Sequence, residues 1–217
     1  MQEHFLNLLV YALPVIFAIT LHEAAHAYIA KYCGDNTAYA AGRMSLNPMV
    51  HIDMVGTIVM PALLYLFFGV AFGYAKPVPV EFSRLRHPRR DSAWVALAGP
   101  GANFIMALMW MTLALLLKYF QVAEPFPHKV AQAGVLANLV ILALNLIPIP
   151  PLDGGRILTS ILPPRLGYRF AQIEPYGIMI VFALLALHLL NWWLIPVMTL
   201  TNTAVSVLVS PLNALLF

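Results

Sequence analysis

Phe17-Ala18-Ile19-Thr20-Leu21-His22-Glu23-Ala24-Ala25-His26 sets two imidazoles and a carboxylate inside an apolar stretch, Phe5 to Ile29, that is long enough to cross a bilayer as a helix. On a helix, residues four apart lie about 40° from each other around the axis and about 6 Å along it, so both imidazoles can reach one ion. Neutral nitrogen ligands at that spacing suit Zn²⁺. Glu23 sits one residue along, within reach of a water beside that ion, where a general base for hydrolysis belongs. Each ionisable group in a membrane helix costs several kcal/mol unless it is paired or faces a polar cavity, so three together mark a functional site.

Composition agrees with a membrane setting. The chain of 217 residues is 61% hydrophobic and 10% charged, with a mean hydropathy of +0.81. A soluble domain of this length does not have that balance. The formal charge of +3 is modest and its basic residues gather in loops, which reads as membrane topology and not as nucleic-acid binding. Cys33 is the only cysteine, so no internal disulfide forms and no thiolate metal site is available. No cleavable signal is expected, because the first apolar stretch carries the metal motif itself.

The sequence predicts an all-α polytopic membrane protein with five to six transmembrane helices, a re-entrant hairpin and a short extended membrane-associated loop. It reads as a single membrane-embedded domain over 1–217. The metal-bearing helix covers 5–30 with a kink at Pro14, a re-entrant segment covers 55–74, and further helices cover 92–117, 131–162, 176–195 and 197–217. Arg84, Arg86, Arg89 and Arg90 crowd one loop, Arg156, Arg165 and Arg169 another, and Lys31 and Arg43 a third, which assigns these loops to the cytoplasm. Trp192 and Trp193 are then expected in an outer interfacial belt.

A catalytic zinc site needs three protein ligands and an open position. The strongest candidate for the third is Asp153, in Asn145-Leu146-Ile147-Pro148-Ile149-Pro150-Pro151-Leu152-Asp153-Gly154-Gly155-Arg156, where prolines break the helix and free backbone groups to line a wet cavity. The alternative for the same residues is a turn in which Asp153 caps the next helix. If Asp153 is the ligand, the first helix and the helix before the proline segment must run in the same sense. Val55 to Tyr74 would then enter and return without traversing, helped by Gly56, Pro61, Gly69 and Gly73.

Taken together, His22-Glu23-Ala24-Ala25-His26, Ala98-Gly99-Pro100-Gly101-Ala102-Asn103 and the Asn145 to Gly155 segment resemble the site-2 protease family of intramembrane zinc metalloproteases. Ser45-Leu46-Asn47-Pro48 and Ala75-Lys76-Pro77-Val78-Pro79-Val80 are similar to stretches of its compact bacterial and archaeal members. The resemblance implies one zinc ion on His22, His26 and Asp153, with Glu23 as general base. It implies that Asn145 holds the substrate or its oxyanion. Asn103, one turn into an apolar helix, either lines the same cavity or makes an interhelical hydrogen bond. The chain opens on the metal-bearing helix, so the leading transmembrane segment of several relatives, and any PDZ or CBS domain, are expected to be absent.

The function expected is a zinc-dependent intramembrane endopeptidase that cleaves peptide bonds within or near transmembrane helices by metal-activated water. Its partners would be transmembrane protein substrates and the lipid bilayer, without nucleic acid. The setting would be the cell membrane, crossed several times, with the active site near the cytoplasmic side. Two other classes use similar residues: a divalent-metal transporter, which should show repeated halves, and a catalytically silent relative that binds membrane helices. His51 and Asp53 read as interfacial polar residues or as partners of the metal ligands, and Lys76 to Val80 as a rigid loop or as an edge that receives a substrate strand.

Overall fold

A computed structural model describes residues 2–59, 63 and 76–216, and among them the chain is helical, with no strand. In chain order the helices are α1 (Gln2–Tyr32), α2 (Thr37–Ala40), α3 (Pro88–Tyr119), α4 (Pro125–Asn145), α5 (Asp153–Ile161), α6 (Pro164–Ala171), α7 (Glu174–Ala186) and α8 (Asn191–Leu216). Among the described residues, four stretches are long and apolar enough to cross a membrane: Val10–Tyr32 of α1, then α3, α4 and α8. α6 and α7 are bent by 66° at their junction and make a fifth span if counted as one broken helix. The chain is a multi-pass membrane protein.

α1, α3 and α4 pack on one another and form the centre of the molecule. Ala18, Ala24, Ala27 and Ala30 of α1 are each at most 1% exposed, with Ala30 packed near Leu85 and Val95 and Ala27 against Ala38 and Val78. Small residues let helix backbones approach closely where no hydrophobic force drives association in lipid. α8 lies across α3 and α4 through Val205 and Val209, which bury against Ala107 and Leu139. The outward faces carry Ile105, Met109, Leu136, Leu200 and Leu208, all exposed, as a surface solvated by acyl chains requires. Pro14, Pro100, Pro196 and Pro211 lie inside helices, which neighbouring helices make tolerable in a bilayer.

Helix ends are set by left-handed residues. Gly34 (φ 111°) follows α1, with Gly34 N–H donating to Lys31 O and Asp35 N–H to Ala30 O. Gly42 (φ 66°) ends α2 in the same way, with Arg43 N–H on Ala38 O. These paired bonds are the Schellman stop, which favours glycine because an L side chain is strained at positive φ. His188 (φ 56°) makes the same stop after α7, with Leu189 N–H on Leu184 O.

Several expected boundaries move. The helix expected over 131–162 ends at Asn145 and resumes at Asp153, because Pro148, Pro150 and Pro151 cannot donate to the helix ladder. The break expected between 195 and 197 falls instead at 187–190, where the His188 stop turns the chain, and Pro196 is absorbed within α8. Trp193 donates its indole N–H to Ala143 O at 3.0 Å, so α8 begins beside the end of α4 that leads into the proline segment. The Trp pair therefore does not mark the opposite interface.

The re-entrant segment expected over 55–74 lies outside the described residues, apart from a π-helical turn at Met54–Val59 and Leu63. The flanks are informative nonetheless. Lys76 N–H donates to His51 O at 2.9 Å, and Arg86 N–H to Cys33 O at 2.9 Å. The chain thus comes back to where it left, and α3 starts beside the end of α1. One traverse of a core about 30 Å thick would have separated these ends, so α1 and α3 run in opposite senses with no net crossing between them.

Candidate metal centre and active site

His22 and His26 face α3 from consecutive turns of α1, and their rings stand edge to face with centroids 4.7 Å apart. Their outer nitrogens are anchored. His22 Nδ1 lies 2.6 Å from Asn103 Oδ1 and His26 Nδ1 2.7 Å from Val95 O. Val95 O can only accept, so His26 Nδ1 carries the proton. Asn103 spends its Nδ2 on Asn138 Oδ1 (2.9 Å) and Ala18 O (3.3 Å), which leaves its Oδ1 to accept from His22. Asn138 in turn donates to Gly134 O. With both Nδ1 positions protonated, each neutral ring turns an Nε2 lone pair inward.

Asp153 completes the group from the first turn of α5. The 146–152 segment between α4 and α5 contains a cis Pro150-Pro151 bond, and Leu152 caps α5 without a side-chain bond. The carboxylate of Asp153 does not cap the helix; it points into the protein. Its Oδ2 lies 3.2 Å from His22 Nε2 and 3.4 Å from His26 Nε2, while the two Nε2 atoms are 3.0 Å apart. All three residues are buried, and one ligand atom from each lies within 4.8 Å of the others.

Asp153 Oδ2 is buried without a hydrogen-bond partner. Without a cation or a shared proton between them, three acceptor atoms this close repel one another in a medium of low dielectric. A divalent cation removes that repulsion, and two imidazoles with one carboxylate form a donor set that suits zinc and leaves a coordination position open. The residues present therefore fit the ion.

The backbone of α3 makes room for the rings. A Cβ built on Gly99 would lie 2.5 Å from His22 Cε1, His22 Nε2 and His26 Nε2. Glycine at this place in Ala98-Gly99-Pro100 is thus a requirement of space, because the ligand tips lie against the helix itself. Asn103 is wholly buried and stands behind His22; of its two readings the structure bears out the interhelical hydrogen bond, and Asn103 does not line the cavity.

A cavity of about 350 Å³ opens in front of the three ligands. Glu23, Asn145, Pro77 to Val80, Phe82 and Arg156 line it with them. Glu23 is half-buried, and its Oε2 accepts from Val78 N–H at 2.9 Å. Asn145 uses one amide hydrogen on Ile141 O at 2.9 Å, the turn above it, which leaves the other for a guest. Arg156 stands at the rim, 4.9 Å over the Phe82 ring and 3.3 Å from Glu174 Oε1.

His51 and Asp53 do not reach the metal ligands. His51 is buried with Nε2 on Ser45 O, and Asp53 accepts from Gly56 N–H in the turn that follows it. The segment from Lys76 to Val80 pairs with no strand. Pro77 and Pro79 have no N–H, and those of Lys76 and Val78 are bound to His51 O and Glu23, so residues 76–79 keep no donor for a substrate strand.

Sequence reasoning gave no site role to Val95 or Asn138, quoted Gly99 only within a motif and read Arg43 only as a topology charge. Asn138 carried a usable signal, as the lone amide in the apolar run from Ala133 to Leu144. Gly99 and Val95 act through backbone and space, which residue type does not advertise.

The chain matches the model of Peptidase family M50 over residues 10–135 and 120–188. It is 35% identical over 191 residues to "Putative zinc metalloprotease YwhC" of Bacillus subtilis (strain 168), covering 86% of this chain and 84% of that one. It is 31% identical over 180 residues to "Putative zinc metalloprotease Rip2" of Mycolicibacterium smegmatis, covering 82% and 67%. A more distant likeness, 23% identical over 154 residues, links it to "Zinc metalloprotease MJ0392" of Methanocaldococcus jannaschii, of which 34% is covered. No solved structure gives a significant match. A paired-histidine helix, an aspartate delivered by a proline-broken segment and a match across most of its length make this chain a member of Peptidase family M50, the site-2 protease family.

Proposed function

We propose that this chain is a zinc-dependent intramembrane endopeptidase that hydrolyses peptide bonds within or near the transmembrane helices of other membrane proteins. The observation that carries the reading is the convergence of His22 Nε2, His26 Nε2 and Asp153 Oδ2 at one edge of a cavity whose wall also presents Glu23. His22, His26 and Asp153 would hold the ion, which when bound supplies Lewis acidity for a scissile carbonyl and makes water nucleophilic at neutral pH. Glu23 has one carboxylate oxygen held by Val78 N–H and the other available to take a proton from water in the cavity. The spare amide hydrogen of Asn145 is placed to donate to the oxyanion of a tetrahedral intermediate.

A transmembrane helix keeps its backbone amides in internal hydrogen bonds, so the substrate must unwind before a strand of it enters. The basic loop from Arg84 to Arg90 joins α3 at the end nearer the metal ligands, and Arg156, Arg165 and Arg169 follow Asp153. These positions support an active site near the cytoplasmic face of the cell membrane.

The test is cleavage of a transmembrane-helix reporter by purified protein in detergent and in liposomes, with metal content measured in parallel. Glu23→Gln should lose about 10²- to 10⁴-fold in kcat while retaining zinc. Asp153→Ala should lose zinc as well as activity. Cleavage by Glu23→Gln at the native rate would overturn the assignment of the base. Zinc flux into liposomes without cleavage would replace the protease with a transporter.

A further inference from the structure

Three charged side chains from the α1–α2 region are spent on the backbone of residues 76–81. Arg43 donates to Lys76 O at 2.8 Å and to Pro77 O at 3.4 Å, and also to Val50 O at 2.5 Å. Glu23 accepts from Val78 N–H, and the buried Asp35 accepts from Glu81 N–H at 2.7 Å. Arg43 and Asp35 each directly follow a glycine stop, Gly42 and Gly34, so the helix ends fix where both begin. Glu23 and Asp35 make their bonds where partial burial makes an unpaired charge costly, and Arg43 bonds the segment at the surface. The three contacts, spaced along six residues, hold it in register.

The register has a chemical consequence. Pro77 and Pro79 flank Val78, hold Lys76 and Val78 in extended backbone and contribute no N–H. Val78 N–H is therefore the sole donor between residues 77 and 79, and it is aimed at the carboxylate beside the metal ligands. Val78 packs against Ala27 and Ala38, with Met44 alongside, so its side chain keeps the peptide from rotating. Shifting the segment by one residue would bring a proline to Glu23 and leave the carboxylate without a donor.

We propose that residues 76–81 form a clamped strap that orients the carboxylate of Glu23 through Val78 N–H, and that Arg43 is the positioning residue that holds the strap in register. The proposal rests on the reading of Glu23 as general base. With Oε2 tied to the strap, Oε1 has a fixed direction toward the cavity and the carboxylate cannot swing to the histidines. Arg43 does not itself line the cavity or reach the metal ligands; it bonds the backbone of Lys76 and Pro77 in the strap and Val50 O in the preceding turn.

The test uses the full chain in detergent, with kcat, KM and zinc content measured for Arg43→Met, Arg43→Lys, Val78→Pro and Val78→Ala. Arg43→Met should lower kcat about ten- to a hundredfold, the range set by hydrogen bonds to charged groups, at native zinc content and with KM nearly unchanged. Arg43→Lys, which keeps one donor toward Lys76 O, should recover part of that loss. Val78→Pro removes the N–H in a segment already extended and, like Val78→Ala, gives up the valine packing on Ala27 and Ala38, so the comparison isolates the N–H: kcat of Val78→Pro should fall about tenfold or more below that of Val78→Ala. Equal kcat for Val78→Pro and Val78→Ala would overturn the strap's role even if Arg43→Met failed to fold. A rise in kcat would also overturn it, by showing that the strap blocks the site. If Glu23→Gln cleaves at the native rate, the base assignment fails first; if Glu23→Gln is inactive and Val78→Pro is not impaired, the strap alone fails.

Discussion

Replacing Gly99 with alanine adds a single methyl group to a residue that bears no chemistry, and it should empty the metal centre. The new carbon would lie 2.5 Å from three ring atoms of His22 and His26, whereas ordinary van der Waals contact begins at 3.4 Å. Both rings, or the α3 backbone, must therefore retreat by about 1 Å. Neither move is free. The rings are tied through Nδ1 to Asn103 and Val95 at 2.6 and 2.7 Å, and α3 carries both of those partners. Metal–ligand distances tolerate shifts of about 0.2 Å, so a displacement several times larger at two of the three ligands should weaken zinc binding by at least about 100-fold. The overpacking should separately cost about 1–3 kcal/mol of stability. The assay is zinc competition against a chromophoric chelator in detergent micelles, with circular dichroism to confirm helical content. Native zinc affinity in folded Gly99→Ala would show that the imidazoles do not stand against the α3 backbone, and the derivation of the site would fail with it.

Asn103→Ala removes the acceptor for His22 Nδ1 and strips Asn138 Oδ1 of its donor, so zinc affinity should fall about ten- to a hundredfold in the same competition assay. An unchanged affinity would show that His22 needs no partner to hold its tautomer. Asp35 gives a pH-dependent prediction. Burial pushes its carboxyl up, but the Thr37 hydroxyl, Thr37 N–H and Glu81 N–H more than offset this and hold it below the usual carboxylate range. A group with a depressed folded-state pKa stabilises above its unfolded value, about 3.9, and loses that contribution as pH falls through the folded one. Asp35→Asn should therefore lower the Tm of zinc-free protein at pH 7, with the difference shrinking toward pH 3. A constant difference across that range would refute the charge-based account.

The helical class, the membrane setting and the residues around the site were legible because each depends on local pattern. Apolar length marks a span, four-residue spacing puts His22 and His26 on one helix face, and the prolines between Leu146 and Leu152 break α4 wherever it lies. The ends of elements were less legible. The turn after α7 is made by a histidine at positive φ, a position that sequence reasoning reserves for glycine or asparagine, while Pro196 looked like a break and is not one.

Asn103 shows the limit most clearly. As a polar residue in an apolar helix it was rightly singled out, but only the packing of α1 against α3 places its Oδ1 on His22 and its Nδ2 on Asn138 and Ala18. Arg43 was read as a topology charge, and only the return of the chain at residue 76 gives its guanidinium the carbonyls it holds. The amino-acid order by itself determined which side chains can bind a metal and which segments prefer a bilayer, since both follow from residue chemistry and short-range periodicity. Tertiary structure alone decided which backbone carbonyl fixes His26, which glycine clears space for the rings and which N–H meets Glu23. Those contacts join residues that are distant in the chain and are made by groups common to nearly every residue, so residue type carries no mark of them.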